Sequence, residues 1–82
     1  MIYALAKTPL KLASLDLYRN IYIQVQGAVN VSIANQETTL QTPAYGVQQG
    51  LTFSSADGVV RLPWTGELWA VGDGGLIDVE II

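Results

Sequence analysis

Glycine and proline break up this sequence at short intervals, above all from residue 27 onward. The eight glycines fall at positions 27, 46, 50, 58, 66, 72, 74 and 75, and the three prolines at positions 9, 43 and 63. Turn-forming residues at such spacing are typical of short strands joined by turns, and leave little room for long helices. The spacing therefore favours an all-β fold.

Apolar and polar side chains alternate between these breaks. Positions 21, 23 and 25 are Ile, Ile and Val, whereas positions 22, 24 and 26 are Tyr, Gln and Gln. The same alternation returns at residues 29–33, where Val, Val and Ile flank Asn and Ser. Such a period of two predicts half-buried strands. Gly27-Ala28 suits a type II′ turn, so we expect residues 21–26 and 29–33 to form a β-hairpin.

The carboxyl-terminal residues show a similar pattern. Leu68 and Ala70 alternate with Trp69 and Val71 in a strand predicted over residues 67–71, and a second strand follows over residues 76–82. Gly72-Asp73-Gly74-Gly75 separates them and has the composition of a turn. We expect this pair to form a second hairpin.

The remaining strands are assigned on weaker patterns. They lie at residues 38–42, 51–53 and 59–62, with a loop at residues 54–58. Leu10 and Leu12 indicate an edge strand whose alternation continues to Leu17, and no helix is expected beyond a single turn near Ala13–Tyr18. The sequence thus predicts a single domain, a compact antiparallel β-sandwich of about eight short strands. Residues 1–19 are expected to form an amino-terminal arm or edge strand, and residues 20–82 the sandwich.

Size and composition indicate that this domain needs support from outside its own core. A chain of 82 residues buries a smaller share of its surface on folding than a larger domain does. Small folds therefore usually need additional stabilisation from disulfides, a bound metal or oligomerisation. The chain has no Cys for a disulfide and no His or Cys for zinc. Oligomerisation or docking on a partner is then the remaining source of additional stability. Only 13 % of the residues are charged, which is consistent with a surface that is partly covered by a partner. A free monomer kept soluble by polar residues such as its six Gln is the alternative.

The same absences argue against an enzyme. Without His or Cys, most nucleophilic triads and the usual neutral-pH bases are excluded. Asp78 and Glu80 share one strand face and could in principle form a glycosidase pair, although an exposed strand face is the simpler interpretation. Asp57 and Asp73 lie in glycine-containing loops, where turn formation is favoured over a calcium site. We therefore expect no catalytic residues, no metal and no cofactor.

Charge and hydropathy limit the partners. Residues 1–19 carry three basic side chains and one acid, a net charge of +2, whereas residues 20–82 carry one basic side chain and six acids, a net charge of −5. The overall charge of −3 argues against nucleic acid as a partner, because phosphate binding needs clustered Lys and Arg. No apolar run reaches membrane-spanning length, and the first residues lack the features of a signal peptide.

The aromatic residues could form a surface for stacking on sugars or bases, although packing in the core is the simpler interpretation: Tyr3, Tyr18, Tyr22, Tyr45, Trp64 and Trp69. Trp64 lies in Leu-Pro-Trp-Thr-Gly, which predicts an exposed turn and makes it a candidate interface anchor. Trp69 lies within a predicted strand and is expected in the core. Two or more aromatic side chains on one exposed face would instead indicate a small carbohydrate-binding module.

The order of these segments resembles that of small structural proteins of tailed bacteriophages. The similar segments run Ile21-Tyr-Ile-Gln-Val-Gln-Gly27, Val29-Asn-Val-Ser-Ile-Ala34, Gly50-Leu-Thr-Phe53, Gly66-Glu-Leu-Trp-Ala-Val71 and Gly-Gly75-Leu-Ile-Asp-Val-Glu80. The resemblance implies a jelly-roll-like sandwich that serves as a capsid decoration (cement) protein on the virion surface, commonly as a homotrimer bound to the major capsid protein or another virion protein. It does not cover the first 20 residues, and the segment 35–49 lacks the proline-rich acidic loop expected in that group.

An extended amino-terminal arm would suit such a role, because it could pair with a strand edge of the capsid protein. The residues predicted to bind a partner are Tyr3, Leu5, Lys7, Leu10, Lys11 and Leu12 of the arm, together with Trp64. Other readings are a tail, baseplate or head-fibre component of a virion, a carbohydrate-binding module, or a small phage-encoded inhibitor.

Overall fold

The computed structural model of the protein describes residues 1–27, 30–36 and 51–82. These residues form an antiparallel all-β fold, as predicted, with one short 3-10 helix at Ser55–Asp57. The strands are β1 (Ile2–Ala4), β2 (Leu10–Gln26), β3 (Val31–Ala34), β4 (Leu51–Phe53), β5 (Val59–Gly72) and β6 (Leu76–Ile81). Their order in the sheet is β1-β6-β2-β5-β3-β4.

Neither predicted hairpin forms. β2 pairs with β5 and β6, whereas β3 pairs with β4 and β5, so β2 and β3 are not neighbours. β5 and β6 are separated by β2. The turn residues were recognised correctly as chain breaks, but local turn chemistry does not decide which strand lies next to which. The strand neighbours are instead those that bury the apolar faces of the strands.

The two long strands bend together. Fully extended, the 17 residues of β2 would span about 56 Å, which exceeds the longest dimension of the molecule, 34 Å. The first residue of β2, Leu10, pairs with Ala70 of β5, and its last, Gln26, pairs with Leu76 of β6. Because only three residues separate β5 from β6, the two ends of β2 lie close together. The β2–β5 ribbon is therefore folded back on itself.

The bend places the core between the two halves of the ribbon. One cluster unites apolar side chains from four strands and the segment after β1: Leu5, Ile21, Ile23, Val25, Val31, Ile33, Leu68, Ala70, Ile77 and Val79. Each of these is at most 6 % exposed. The face that alternation assigned to Ile21, Ile23 and Val25 is thus the inner face. The radius of gyration, 11.7 Å, is the value expected for a compact chain of this length.

The bend also explains the difference in strand number. The strands predicted at 10–17 and 21–26 are both part of β2, and those predicted at 59–62 and 67–71 are both part of β5. The turn expected near Ala13–Tyr18 is a stretch of β2, and the boundary proposed at residue 20 falls inside the same strand. The strand predicted at 38–42 lies outside the described residues.

Two glycine-containing turns meet at one end of the molecule, which we call the glycine end (Gly27 and Gly72–Gly75). Gly27 has a φ of +105°, and a Cβ there would lie 3.4 Å from the Cα of Gly75. A Cβ on Gly72 would lie 3.3 Å from the side chain of Val31. The amide of Leu5 donates to the carbonyl of Gly75 (3.1 Å), and that of Gly72 donates to the carbonyl of Ala6 (3.0 Å). The close approach of Gly27 and Gly72 to their neighbours leaves little room for a side chain at either position.

Candidate functional site

A three-residue irregularity interrupts β2 at the end opposite the glycine turns. Leu15 pairs with Gly66 and Arg19 with Trp64, so three residues of β2 face one residue of β5. We call residues 16–18 the β2 bulge. Its Leu17 and Tyr18 side chains are 67 % and 71 % exposed. Bulges redirect side chains and recur beside binding sites, and this one directs two large apolar side chains outward.

An open groove of about 360 Å³ lies beside the bulge. Four of its described lining residues come from the long strands and four from β3, β4 and the residue after β3: Tyr18, Pro63, Trp64 and Thr65, and Ile33, Ala34, Asn35 and Leu51. None of these eight is charged. The groove therefore combines two aromatic rings, an apolar floor and the polar side chains of Asn35 and Thr65.

Trp64 lies in this groove, but its predicted turn does not exist. Residues 62–66 continue through β5, and Trp64 is half-buried, packed against the core cluster. Its indole Nε1 donates to the carbonyl of Glu67 at 2.9 Å. The ring is thus held by packing on the core and by a hydrogen bond at its polar tip. Trp69, expected in the core, is half-buried in a second cluster with Ala34 and Val71.

Proline is accommodated in β5 because its nitrogen points away from the neighbouring strand. Ile82 donates its amide to the carbonyl of Asn20 at 3.0 Å, so the backbone groups of Asn20 point toward β6. Asn20 lies opposite Pro63. In an antiparallel pair, Pro63 then points away from β2, toward the groove side, and its missing N–H removes no bond of the β2–β5 ladder.

A polar cluster lies on the second half of β5. Glu67 accepts a hydrogen bond from the Trp69 indole at 3.1 Å and pairs with the Lys11 ammonium at 2.9 Å. The hydrogen bond from Lys11, followed by that from Trp69, lowers the pKa of Glu67 below its usual value. Lys11 and Glu67 are each 44 % exposed, so this contact is a solvent-screened one.

The free edge of β1 lies on the other side of the molecule. Met1 and Val79 exchange hydrogen bonds of 2.9 Å, and Leu5 bonds to Gly75, so the odd-numbered residues of this segment face β6. Ile2 and Ala4 consequently direct their backbone groups away from β6. Among the described strands none pairs with this edge of β1. Ile2 is also 54 % exposed.

The first twelve residues are packed against the rest of the protein. Leu5 is buried in the core, and Leu12 is half-buried against it. The hydroxyl of Tyr3 donates to the carbonyl of Leu12 at 3.4 Å, and Lys7 lies 3.9 Å from Asp73. Leu10 begins β2 and is 41 % exposed.

The acidic residues considered as chemical sites have partners in the structure. The amino-terminal ammonium lies 3.1 Å from Asp78 Oδ1 and 2.9 Å from Glu80 Oε1. The hydrogen bond to Glu80, followed by that to Asp78, raises the pKa of this ammonium. Asp57 accepts the amide of Ser54 at 2.7 Å, as a turn-forming residue does. Across residues 1–27, 30–36 and 51–82, no three His, Cys, Asp or Glu side chains are grouped as metal ligands.

Sequence reasoning named Tyr18 only as one of six aromatic residues that could form a stacking platform, and it did not predict the β2 bulge. Apolar residues continue at odd positions through Leu15, Leu17 and Ile21, so the alternation suggests a regular strand in which Leu17 faces inward. The extra residues become evident only from the pairing with β5. Gly66, with a φ of +82°, lies opposite the start of the bulge and is the one local signal of irregular pairing.

The described part of the chain contains no helix with the length and hydropathy needed to cross a membrane. Comparison with protein-family models finds no match, and neither the curated proteins nor the solved structures contain a significant match to this chain.

Proposed function

We propose that the protein is a structural component of a tailed-phage virion, a capsid decoration (cement) protein that acts as a homotrimer and carries out no catalysis. Its partner in this proposal is the major capsid protein or another virion protein. The order of sequence segments described above supports the assignment. The structural observation that carries it is the free edge of β1, which is suited to pairing with a strand of a partner.

The edge of β1 offers both main-chain and side-chain contacts. Ile2 and Ala4 point their backbone groups outward, so a partner strand could form main-chain hydrogen bonds along this edge. Ile2 pairs with Asp78, and Leu76, 37 % exposed, lies diagonally beside it on the same face. Apolar contact with Ile2 and Leu76 would accompany the main-chain bonds.

Repetition on a lattice would strengthen such a contact. The free edge spans only three residues, so a single copy gains few hydrogen bonds. A trimer that engages three equivalent sites turns the second and third contacts into intramolecular ones, which raises the overall affinity without new contacts. A short edge is also less prone to unwanted pairing between free copies.

The first experiment measures mass by light scattering, then co-sedimentation with capsids that lack the protein. We expect a trimer that sediments with the capsids at a fixed stoichiometry. A monomer that stays in the supernatant would overturn the proposal. Binding to purified tails or baseplates, with no binding to capsids, would replace the decoration role with one of those virion roles.

The contribution of the β1 edge is tested with Ile2→Lys. Lysine on an edge strand opposes strand addition and leaves an exposed position soluble, so capsid binding should fall at least about tenfold with the fold intact. Leu17→Lys is the matched control, since Leu17 is similarly exposed on the far side of the molecule. Equal binding by the two variants would contradict a role for this edge.

A further inference from the structure

The groove beside the β2 bulge has the features of a ligand site, and these features are independent of the β1 edge. It lies where the sheet bends, between Pro63–Thr65 of β5 and the ends of β3 and β4. Its volume, about 360 Å³, falls at the lower end of the range of small-molecule sites. That volume suits one or two sugar rings better than a folded partner.

Two aromatic side chains reach this groove from different strands. Trp64 is supported by the core and fixed by the hydrogen bond from its indole to the carbonyl of Glu67. Tyr18 reaches the groove because the β2 bulge moves it out of the regular alternation, and it is 71 % exposed. A rigid ring and an exposed ring on one surface provide apolar contact area at small conformational cost.

The other described lining residues determine what kind of ligand fits. None of them carries a charge, although the chain places Arg19 and Glu67 in neighbouring positions along β2 and β5. A charged ligand would find no counter-charge among them. Asn35 and Thr65 supply an amide and a hydroxyl, which donate and accept hydrogen bonds. The combination matches a neutral ligand with an apolar face and hydroxyl groups.

We propose that this groove binds a neutral carbohydrate through its pyranose rings, with Trp64 and Tyr18 packing on the sugar faces and Asn35 and Thr65 bonding to hydroxyl groups. The proposal adds a ligand site to the protein and does not depend on the virion role. A virion protein with this site would attach to glycans on a surface. The same site in a protein outside a virion would make it a small carbohydrate-binding module.

The test uses the two tryptophans of the chain. In a Trp69→Phe variant, Trp64 is the only tryptophan, so its fluorescence reports on the groove. The variant is titrated at millimolar concentration with neutral oligosaccharides (cellopentaose, maltopentaose and chitopentaose), with a polyanionic glycan (heparin) and with a proline-rich peptide. We expect saturable emission changes with at least one neutral oligosaccharide and none with heparin.

Tyr18→Ala, made in the same background, should weaken that binding about tenfold, as truncation of a central aromatic contact does. Tyr22→Ala is the matched control, because Tyr22 lies away from the groove with its ring 5.9 Å from the guanidinium carbon of Arg61. Unchanged emission with all three neutral sugars overturns the proposal, as does equal loss in both tyrosine variants. Saturable binding of the peptide or heparin alone also overturns it. Capsid co-sedimentation is scored separately, so failure here leaves the virion proposal untouched.

Discussion

The chain reverses direction at both ends of the molecule, at the glycine end and at the bend beside the β2 bulge, and the two ends are built differently. At the glycine end, the Cα of Gly75 lies close to Gly27, and Gly72 lies close to the carbonyl of Gly74 and the side chain of Val31. At the bend, three residues of β2 face one residue of β5, and this bulge displays Leu17 and Tyr18 to solvent. The first end is closed and intolerant of added atoms, whereas the second is open and has room for a ligand. Stability and binding are therefore expected to separate along the molecule.

The largest effect that would distinguish the two ends comes from truncating the core beside the glycine turns. Ile77 follows the turn directly and is fully buried, so Ile77→Ala should lower the free energy of unfolding by about 2–5 kcal/mol. Leu17→Ala at the bulge should change it by less than about 0.5 kcal/mol. Urea unfolding of both variants measures the difference. Similar losses would mean that the bulge is as well packed as the core.

A second pair of variants examines the glycines themselves. A Cβ on Gly72 would lie 3.2 Å from the carbonyl oxygen of Gly74 and 3.3 Å from Val31, so Gly72→Asn should cost about 1–3 kcal/mol by overpacking. Gly66, opposite the bulge, has a positive φ but open space around it. Asparagine tolerates that backbone conformation, so Gly66→Asn should cost less than about 1 kcal/mol. The reverse order, in thermal or urea unfolding, would contradict the distinction between a closed and an open end.

The smallest expected effect concerns pH. The pKa of Glu67 is lowered by Lys11 and Trp69, so its charged form favours the folded state. That contribution is present above the pKa of the unfolded chain, near 4.5, and disappears as the pH falls through the lower folded value. Glu67→Gln removes it.

The stability difference between wild type and Glu67→Gln should therefore be largest near neutral pH and shrink below about pH 4. Unfolding curves collected across this range measure the change, and an NMR titration of the Glu67 carboxyl gives its pKa directly. Because the pair is exposed, the difference is expected to be small. A difference that grows on acidification would show that the Lys11 contact does not stabilise the fold.

The sequence predicted which faces of the strands are buried, because burial follows from alternation along a single strand. Ile21, Ile23 and Val25 share the inward face, in line with their alternation. For residues 67–71 the alternation separated Leu68 and Ala70 from Trp69 but placed Trp69 in the core, whereas Leu68 and Ala70 lie there instead. The sequence did not predict strand neighbours, because a turn such as Gly27-Ala28 is compatible with a hairpin and with a connection that crosses to another part of the sheet. β2 pairs instead with β5 and β6, two strands that lie far from it in the sequence.

The candidate site was predicted in part. Trp64 was identified from its neighbours Pro63 and Gly66. In the structure Pro63 lies in a part of β5 that pairs only with β2 among the described strands, and Gly66 lies opposite the start of the bulge, so neither residue marks the turn that was predicted. Tyr18 was not distinguished from the other tyrosines, because the bulge that displays it depends on how β2 pairs with β5. The residues that line a groove between distant segments can be named only when the pairing is known.

The pairing of β2 with β5 also determines when the protein can fold. Leu10 meets Ala70 and Gln24 meets Val59, so no part of β2 has a partner among the residues that immediately follow it. On the ribosome, β2 has to wait with its apolar face uncovered until β5 and β6 have emerged. Sheets built from such distant pairings assemble in milliseconds to seconds rather than microseconds.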